Sequence, residues 1–223
     1  MMSVLVSCEH ATCAVPGGQK ALFEGCEDEL HSFAGWEPGA LNLAQAIASR
    51  VRTQLVHGEI TRLLIDLEAG GDDRWTPRYA DQLSEPAKER FASHLWEGYR
   101  NTLRQRIEED LRRHDCVVHV LVHTGGPESG RAILRVPEGN ADAAAIAGRW
   151  AKAASRDGLK VAVAEGGLPG TLVAALAAAH PSNRYAPIRL EVAPGYFLDG
   201  KPLRWEECKK SLIAGLEVAL ANG

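Results

Sequence analysis

Hydrophobic positions along the chain come in two patterns: short apolar runs bounded by turn residues, and longer stretches with apolar residues three or four apart. The first run, Ser3-Val4-Leu5-Val6-Ser7, breaks into Cys8-Glu9-His10 and then a loop holding Pro16, Gly17 and Gly18, and it reads as a buried strand. Similar runs predict strands over 60–67, 116–122, 132–136, 159–164 and 188–192. The 116–122 run is almost continuously β-branched, as expected of a central strand covered on both faces. Helical spacing predicts helices from about 38 to 56, over 85–113, where Phe91, Leu95, Tyr99, Leu103 and Ile107 fall four apart, and over 141–154, 171–179 and 205–221. Pro38 suits a first helical turn and places Glu37 at or beside the N-cap. Residues 11–35 carry no sustained period and read as a long loop with one short helix near 18–23. Alternating strands and helices of these lengths predict an α/β fold, a three-layer α/β/α arrangement on a mixed, largely parallel sheet, with residues 1–223 as a single domain.

Charge and cysteine content narrow the function classes. The formal net charge is −4, and Lys and Arg are spread through the helices, so no nucleic-acid footprint is present. No run of about 18 apolar residues occurs, so the reading includes no membrane partner. Five cysteines, an odd number without CxxC spacing, fit reduced thiols and a cytoplasmic location better than a disulfide framework or a zinc knuckle.

The polar residues that end the predicted strands carry the chemistry. His10, His123 and Glu191 each close an apolar run, and Glu37 begins the helix after the first loop. In open α/β sheets ligands bind beyond the carboxyl ends of strands. Two histidines and a carboxylate form the ligand set of a catalytic zinc, and a further carboxylate can serve as general base. His119, inside its strand, reads as a hydrogen-bonded core residue. Cys8 and His10, two apart, could share a face and leave open a cysteine nucleophile.

Several short motifs occur in the order of a known family. Val4-Leu5-Val6-Ser7-Cys8-Glu9-His10-Ala11 followed by Ala14-Val15-Pro16 resembles the opening of the N-formylglutamate amidohydrolase family. His31 with Trp36-Glu37-Pro38-Gly39-Ala40 is similar to its histidine and Asp-x-Gly-Ala helix start, with Glu37 in place of aspartate. Arg62 to Leu67 resembles its Arg-x-x-x-Asp-Leu-Asn-Arg motif, Trp96 to Arg100 its Tyr-Arg helix, Val122-His123-Thr124 its Val-His-Ser strand end, and Ile188 to Val192 its Leu-Glu strand. The resemblance implies a fold like that of the zinc carboxypeptidases, the phosphorylase/hydrolase-like class. It implies His10, Glu37 and His123 as zinc ligands, and Glu191 as the base that activates water. It leaves His31 either as a ligand in place of Glu37 or, preferred here, as a residue hydrogen-bonded behind it. Arg62 and Arg131 are the candidates for holding substrate, a small N-acyl amino compound.

One departure bears on substrate. Where the family carries Asn-Arg this chain has Glu68-Ala69, which removes a bidentate donor and adds a negative charge, disfavouring a substrate with two carboxylates. The expected activity is therefore zinc-dependent removal of a formyl or acyl group from an altered substrate. The competing expectation is a relative without catalysis that binds a small ligand or a protein.

Overall fold

The computed structural model describes residues 2–125, 131–156, 159–195 and 202–221. Six strands, β1 (Met2–Cys8), β2 (Leu55–His57), β3 (Cys116–His123), β4 (Arg131–Val136), β5 (Lys160–Glu165) and β6 (Tyr185–Val192), form one sheet in the order β2-β1-β3-β6-β4-β5. Strands β2, β1, β3 and β6 run parallel, β4 runs antiparallel to β6, and β5 runs parallel to β4. The mixed, mostly parallel sheet with helices on both sides is the three-layer α/β fold that the hydrophobic pattern predicts.

The helices are α1 (Glu27–His31), α2 (Ala40–Val51), α3 (Pro77–Ala80), α4 (Glu85–Arg90), α5 (Gly98–Leu111), α6 (Ala141–Ala154), α7 (Leu172–Ala179) and α8 (Pro202–Ala221). Side chains of a strand alternate between faces, so each face of β3 belongs to a different core. Val118, Val120 and Val122 join Leu43 and Ile47 of α2, Trp150 of α6 and Leu212 of α8. Val117 and Leu121 join Tyr99, Leu103 and Ile107 of α5 and Leu172 and Leu176 of α7 on the other side. All eight residues of β3 are buried, the double cover its β-branched run predicts. Among the described residues no helix is long and apolar enough to cross a membrane.

Residues 60–67 do not form the predicted strand. The second strand is Leu55–His57, and the chain turns at Gly58, whose N–H donates to Cys8 O (2.9 Å). A Cβ on Gly58 would lie 2.2 Å from Glu9 O, so only glycine permits this approach. Thr61 N–H then bonds Ala14 O (2.8 Å) and Thr61 Oγ1 donates to Gly35 O (2.9 Å). The run is apolar because Ile60, Leu63, Leu64 and Ile65 pack in a third core with Phe23, Leu30, Tyr79 and Phe91, not because they lie in a sheet. Helix α2 stops short of 56 because Arg52 is left-handed (φ 57), closing the helix with an N–H bond to Ala48 O and leaving Leu55–His57 free to pair with β1. Helices α4 and α5 are one rod joined by a π-helical turn at Phe91–Glu97.

Candidate active site

Strand parity gathers the polar residues on the α5/α7 side of the sheet. Leu5 of β1, Val117 and Leu121 of β3 and Tyr185 of β6 face that way, and so, by period two, do Ser7, His119, His123, Arg189 and Glu191. His123 and Glu191 are register partners on adjacent parallel strands, which sets them side by side. His10 follows β1 and is fixed through its backbone, since His10 O accepts from Glu37 N–H (2.9 Å). The segment carrying Asp66 and Glu68 is clamped by Arg100, which donates to Ala69 O (2.7 Å), Glu68 O (3.2 Å) and Thr171 Oγ1 (3.2 Å) and stacks over Trp96.

His10 and His123 meet with ring centroids 5.5 Å apart at 71°. Glu37 bridges them: Oε1 lies 3.0 Å from His10 Nδ1, and Oε2 lies 2.9 Å from His123 Nδ1 and accepts from Thr124 N–H (3.0 Å). On the opposite side, His10 Nε2 lies 2.9 Å from Asp66 Oδ1 and 3.8 Å from Glu68 Oε2. His123 Nε2 lies 3.1 Å from Glu9 Oε2 and 3.5 Å from Glu68 Oε1, with Arg189 also bonded to Glu68. Among the described residues, one group brings its ligand atoms together as a cation would need: His10, Glu68 and His123, within 4.8 Å of one another. On the other side of the rings Glu37, the carboxylate of the set read from the sequence, faces both Nδ1 atoms. Both donor sets, imidazole nitrogen with carboxylate oxygen, suit zinc. Glu68, read from the sequence as a substrate determinant, is therefore also a candidate ligand.

The electrostatics are those of tightly paired buried charges. Burial alone would lower the His10 pKa, but hydrogen bonds to Asp66 and Glu37 and the charge of Glu68 overcome it and raise it to about 9. Burial likewise opposes protonation of His123, and the charges of Glu68 and Glu37 reverse this and bring it to about 10. Burial would raise Glu9, yet the hydrogen bond and charge of His123 hold it at about 2. Glu37 is held well below the carboxylate range against its burial by His123 and His10. Carboxylates Glu9, Glu37, Asp66, Glu68 and Glu191 outnumber the guanidinium groups around them, those of Arg62, Arg100, Arg135 and Arg189, and protonated imidazoles or a divalent ion would offset the excess.

A cavity of about 460 Å³ opens on the Glu37 corner, lined by Phe33, Glu37, Arg62, His123, Gly125, Arg189, Glu191 and Pro194. Glu191 stands in it with both oxygens engaged, Oε1 accepting from Arg189 Nε (2.8 Å) and Oε2 from Arg135 Nε (2.9 Å). Arg62 reaches the same place, with Nη1 3.2 Å from His10 Nδ1, while Nε donates to Ala34 O (3.0 Å) and Nη2 to Phe33 O. The other expected residues lie outside it. Arg131 opens β4, exposed, at the end of the sheet where β6 finishes, its carbonyl accepting from Ala193 N–H (3.1 Å). His31 ends α1, exposed, and its carbonyl accepts from Trp36 Nε1. The positions around Glu37 that the sequence reading gave to His31 are held by His10, His123, Thr124 and Arg62.

Glu9 and Asp66 carry no metal-like spacing to each other, and the sequence reading assigned them no role. Their sequence signals are adjacency, Glu9 to His10 and Asp66 two before Glu68, and their places inside the first and third motifs quoted above. His119 is the core residue expected, between Ser7 Oγ (2.8 Å) and Tyr185 Oη (2.7 Å), with burial lowering its pKa to about 4. Burial also pushes the Cys8 thiol well up, the reverse of an activated nucleophile, and Cys8 faces the α2 side of the sheet, away from the histidines.

A sequence model of the N-formylglutamate amidohydrolase family matches residues 2–193. Among solved structures, a gene product of Agrobacterium tumefaciens superposes with a TM-score of 0.74 at 21% identity, covering 99% of this chain and 90% of its own. An N-formylglutamate amidohydrolase from Ralstonia eutropha superposes with a TM-score of 0.66 at 15% identity, covering 99% and 95%. These likenesses establish the shared fold. No curated protein matches the chain.

Proposed function

Because the chain belongs to the N-formylglutamate amidohydrolase family, we propose that it is a zinc-dependent hydrolase that removes a formyl or acyl group from a small amino compound. The observation that carries this reading is a pair of buried imidazoles sharing Glu37 at the mouth of a cavity that also holds Glu191. A catalytic metal needs an open coordination position. That favours the Glu37 corner, since Glu37 and His123 line the cavity while Glu68 and Glu9 do not.

In this reading His10 Nδ1, His123 Nδ1 and Glu37 hold the zinc, and Asp66 accepts from His10 Nε2–H and fixes that ring. Zinc, when bound, supplies Lewis-acid polarisation of the acyl carbonyl and lowers the pKa of water toward about 7. Glu191 takes the proton from the attacking water and returns it to the leaving amine; each oxygen keeps a second lone-pair site beside its arginine bond. Arg189 and Arg135 hold that carboxylate in place. Arg62 stands where its Nη1 can steady the acyl oxygen, its other donors being held by Ala34 and Phe33 carbonyls, and Arg131 lies outside the cavity lining. Arg189, the other arginine that lines the cavity, is committed to Glu68 and Glu191, and Glu68 is close by, so an N-acyl amino compound with an uncharged side chain fits better than an N-acyl glutamate. The cysteines, all free thiols, support a cytoplasmic setting.

One observation favours a second reading. With both Glu191 oxygens in ion pairs, the same pocket could bind a small ligand without turning it over. Elemental analysis and a panel of N-formyl and N-acetyl amino acids decide between the two. The hydrolase reading expects about one zinc per chain, lost in Glu37→Gln, and turnover lost in Glu191→Gln with zinc retained. Zinc binding without turnover of any panel member supports the second reading, and absence of zinc in the wild-type protein refutes the mechanism.

A further inference from the structure

Glu9 is the most deeply buried acid near the cavity and takes no direct part in the proposed chemistry. It is 1% exposed, its Oε1 accepts from Tyr99 Oη (2.8 Å), and Tyr99 itself is buried in the α5 core. Its other oxygen, Oε2, has no well-aligned hydrogen bond and points at His123 Nε2 from 3.1 Å. An unsatisfied carboxylate oxygen in a protein core is costly, on the order of 1–3 kcal/mol or more, so its position calls for a partner.

His123 Nε2 faces two groups that ask opposite things of it. Arg189 Nη1, at 2.9 Å, is a donor and would be satisfied by a bare Nε2; Glu9 Oε2 is an acceptor and is satisfied by Nε2–H. The choice decides what Nδ1 offers toward Glu37 and the cavity: hydrogen on Nε2 leaves a lone pair on Nδ1, and hydrogen on Nδ1 leaves nothing to bind a cation there. Arg189 has other acceptors in Glu68 and Glu191, whereas Glu9 Oε2 has no aligned donor among the described residues and faces His123 Nε2.

We propose that Glu9, held by Tyr99, is a positioning residue that keeps the hydrogen of His123 on Nε2 and so presents Nδ1 as a metal ligand. This rests on the zinc-hydrolase reading above. It gives His123 the partner that Asp66 gives His10, and it accounts for a charge buried as fully as the histidines beside it. The buried hydrogen-bonded set next to it, Ser7 to His119 to Tyr185, lines the same face of the sheet and gives Glu9 a polar surrounding in an otherwise apolar layer.

The test is long-range proton–nitrogen NMR of the full chain labelled with ¹⁵N-histidine and loaded with zinc, with the His123 signals assigned by their absence in His123→Gln. Zinc affinity of Glu9→Gln is measured alongside by chelator competition. The expected wild-type pattern is Nε2–H with Nδ1 metal-bound. In Glu9→Gln the amide can donate to Nε2, the hydrogen moves to Nδ1, and zinc affinity falls about 10- to 100-fold, the usual effect of losing such a partner. Tyr99→Phe, which keeps the carboxylate, keeps the Nε2–H pattern with a smaller loss. A wild-type His123 carrying its hydrogen on Nδ1, or a Glu9→Gln affinity within threefold of wild type, overturns the proposal. Should Glu9→Gln not fold, Tyr99→Phe supplies the comparison, and a zinc affinity there equal to wild type overturns the proposal. A wild-type protein that takes up no zinc is a distinct result that refutes the hydrolase reading beneath it.

Discussion

Loading the site with zinc should release about two protons per ion near neutral pH, and the number follows from the ion pairs around the histidines. With folded pKa values of about 9 for His10 and about 10 for His123, the rings are about 97% and more than 99% protonated at pH 7.5. Both must lose a proton to ligate. Two ordinary histidines of pKa about 6.5 would together release only about 0.2 protons at that pH. The assay is isothermal titration of metal-stripped protein with zinc in buffers of different ionisation enthalpy, where the slope of observed heat against that enthalpy counts protons. Ionisation of a bound water would add to the count, so a value below about one refutes the charge balance argued here. The same reasoning makes apparent zinc affinity rise about 100-fold per pH unit from pH 6.5 to 7.5, with the slope easing as pH approaches the His10 value of about 9.

Other consequences can be checked independently. Without metal, the raised histidine pKa values stabilise the fold fully below about pH 6.5, and this contribution is lost as pH rises through about 9 and 10. The Tm of stripped protein should therefore fall between pH 7 and 10.5, and a flat profile would contradict it. Glu191→Gln should lower kcat about 10²- to 10⁴-fold with metal content unchanged, read by steady-state kinetics on any substrate the native protein turns over. Leu103, fully buried between α5 and the sheet, should cost about 2–5 kcal/mol on replacement by alanine, seen in urea denaturation. Arg100→Met should spare the sheet but loosen the Asp66–Glu68 segment, so that zinc affinity falls more than global stability does.

How far the sequence could be read depended on whether a residue's role was written in its own period. Residues 116–123 declare a central strand by their β-branched run, and the helix expected over 141–154 is α6, opened by Asn140, whose side chain caps Ala143 N–H. Three strand ends brought His10, His123 and Glu191 to one side of one sheet because the first and third strands are neighbours and the third pairs with the sixth, an arrangement of order that no local pattern encodes. The run at 60–67 misled because apolar density marks burial, and burial there comes from a loop core rather than a ladder. The roles of Glu9 and Asp66, and that of Glu68 as a possible ligand, were illegible for a related reason: their partners lie far along the chain, and an acid's charge says nothing of what will face it. The pairing of Arg189 with Glu191 was legible, since the two lie two apart on one strand, whereas Arg135 meets Glu191 only through the pairing of β4 with β6.

The excess of carboxylates around the two histidines has a consequence for the life of the chain. Imidazolium protons offset it without any ion, so the polar layer can close before an ion is bound. In small zinc domains the ion is the fold, and the apo chain is unfolded. On the zinc reading proposed above, protons would serve as placeholders: the chain would fold first and load second, and a cell short of zinc would accumulate a folded, waiting protein rather than a degraded one.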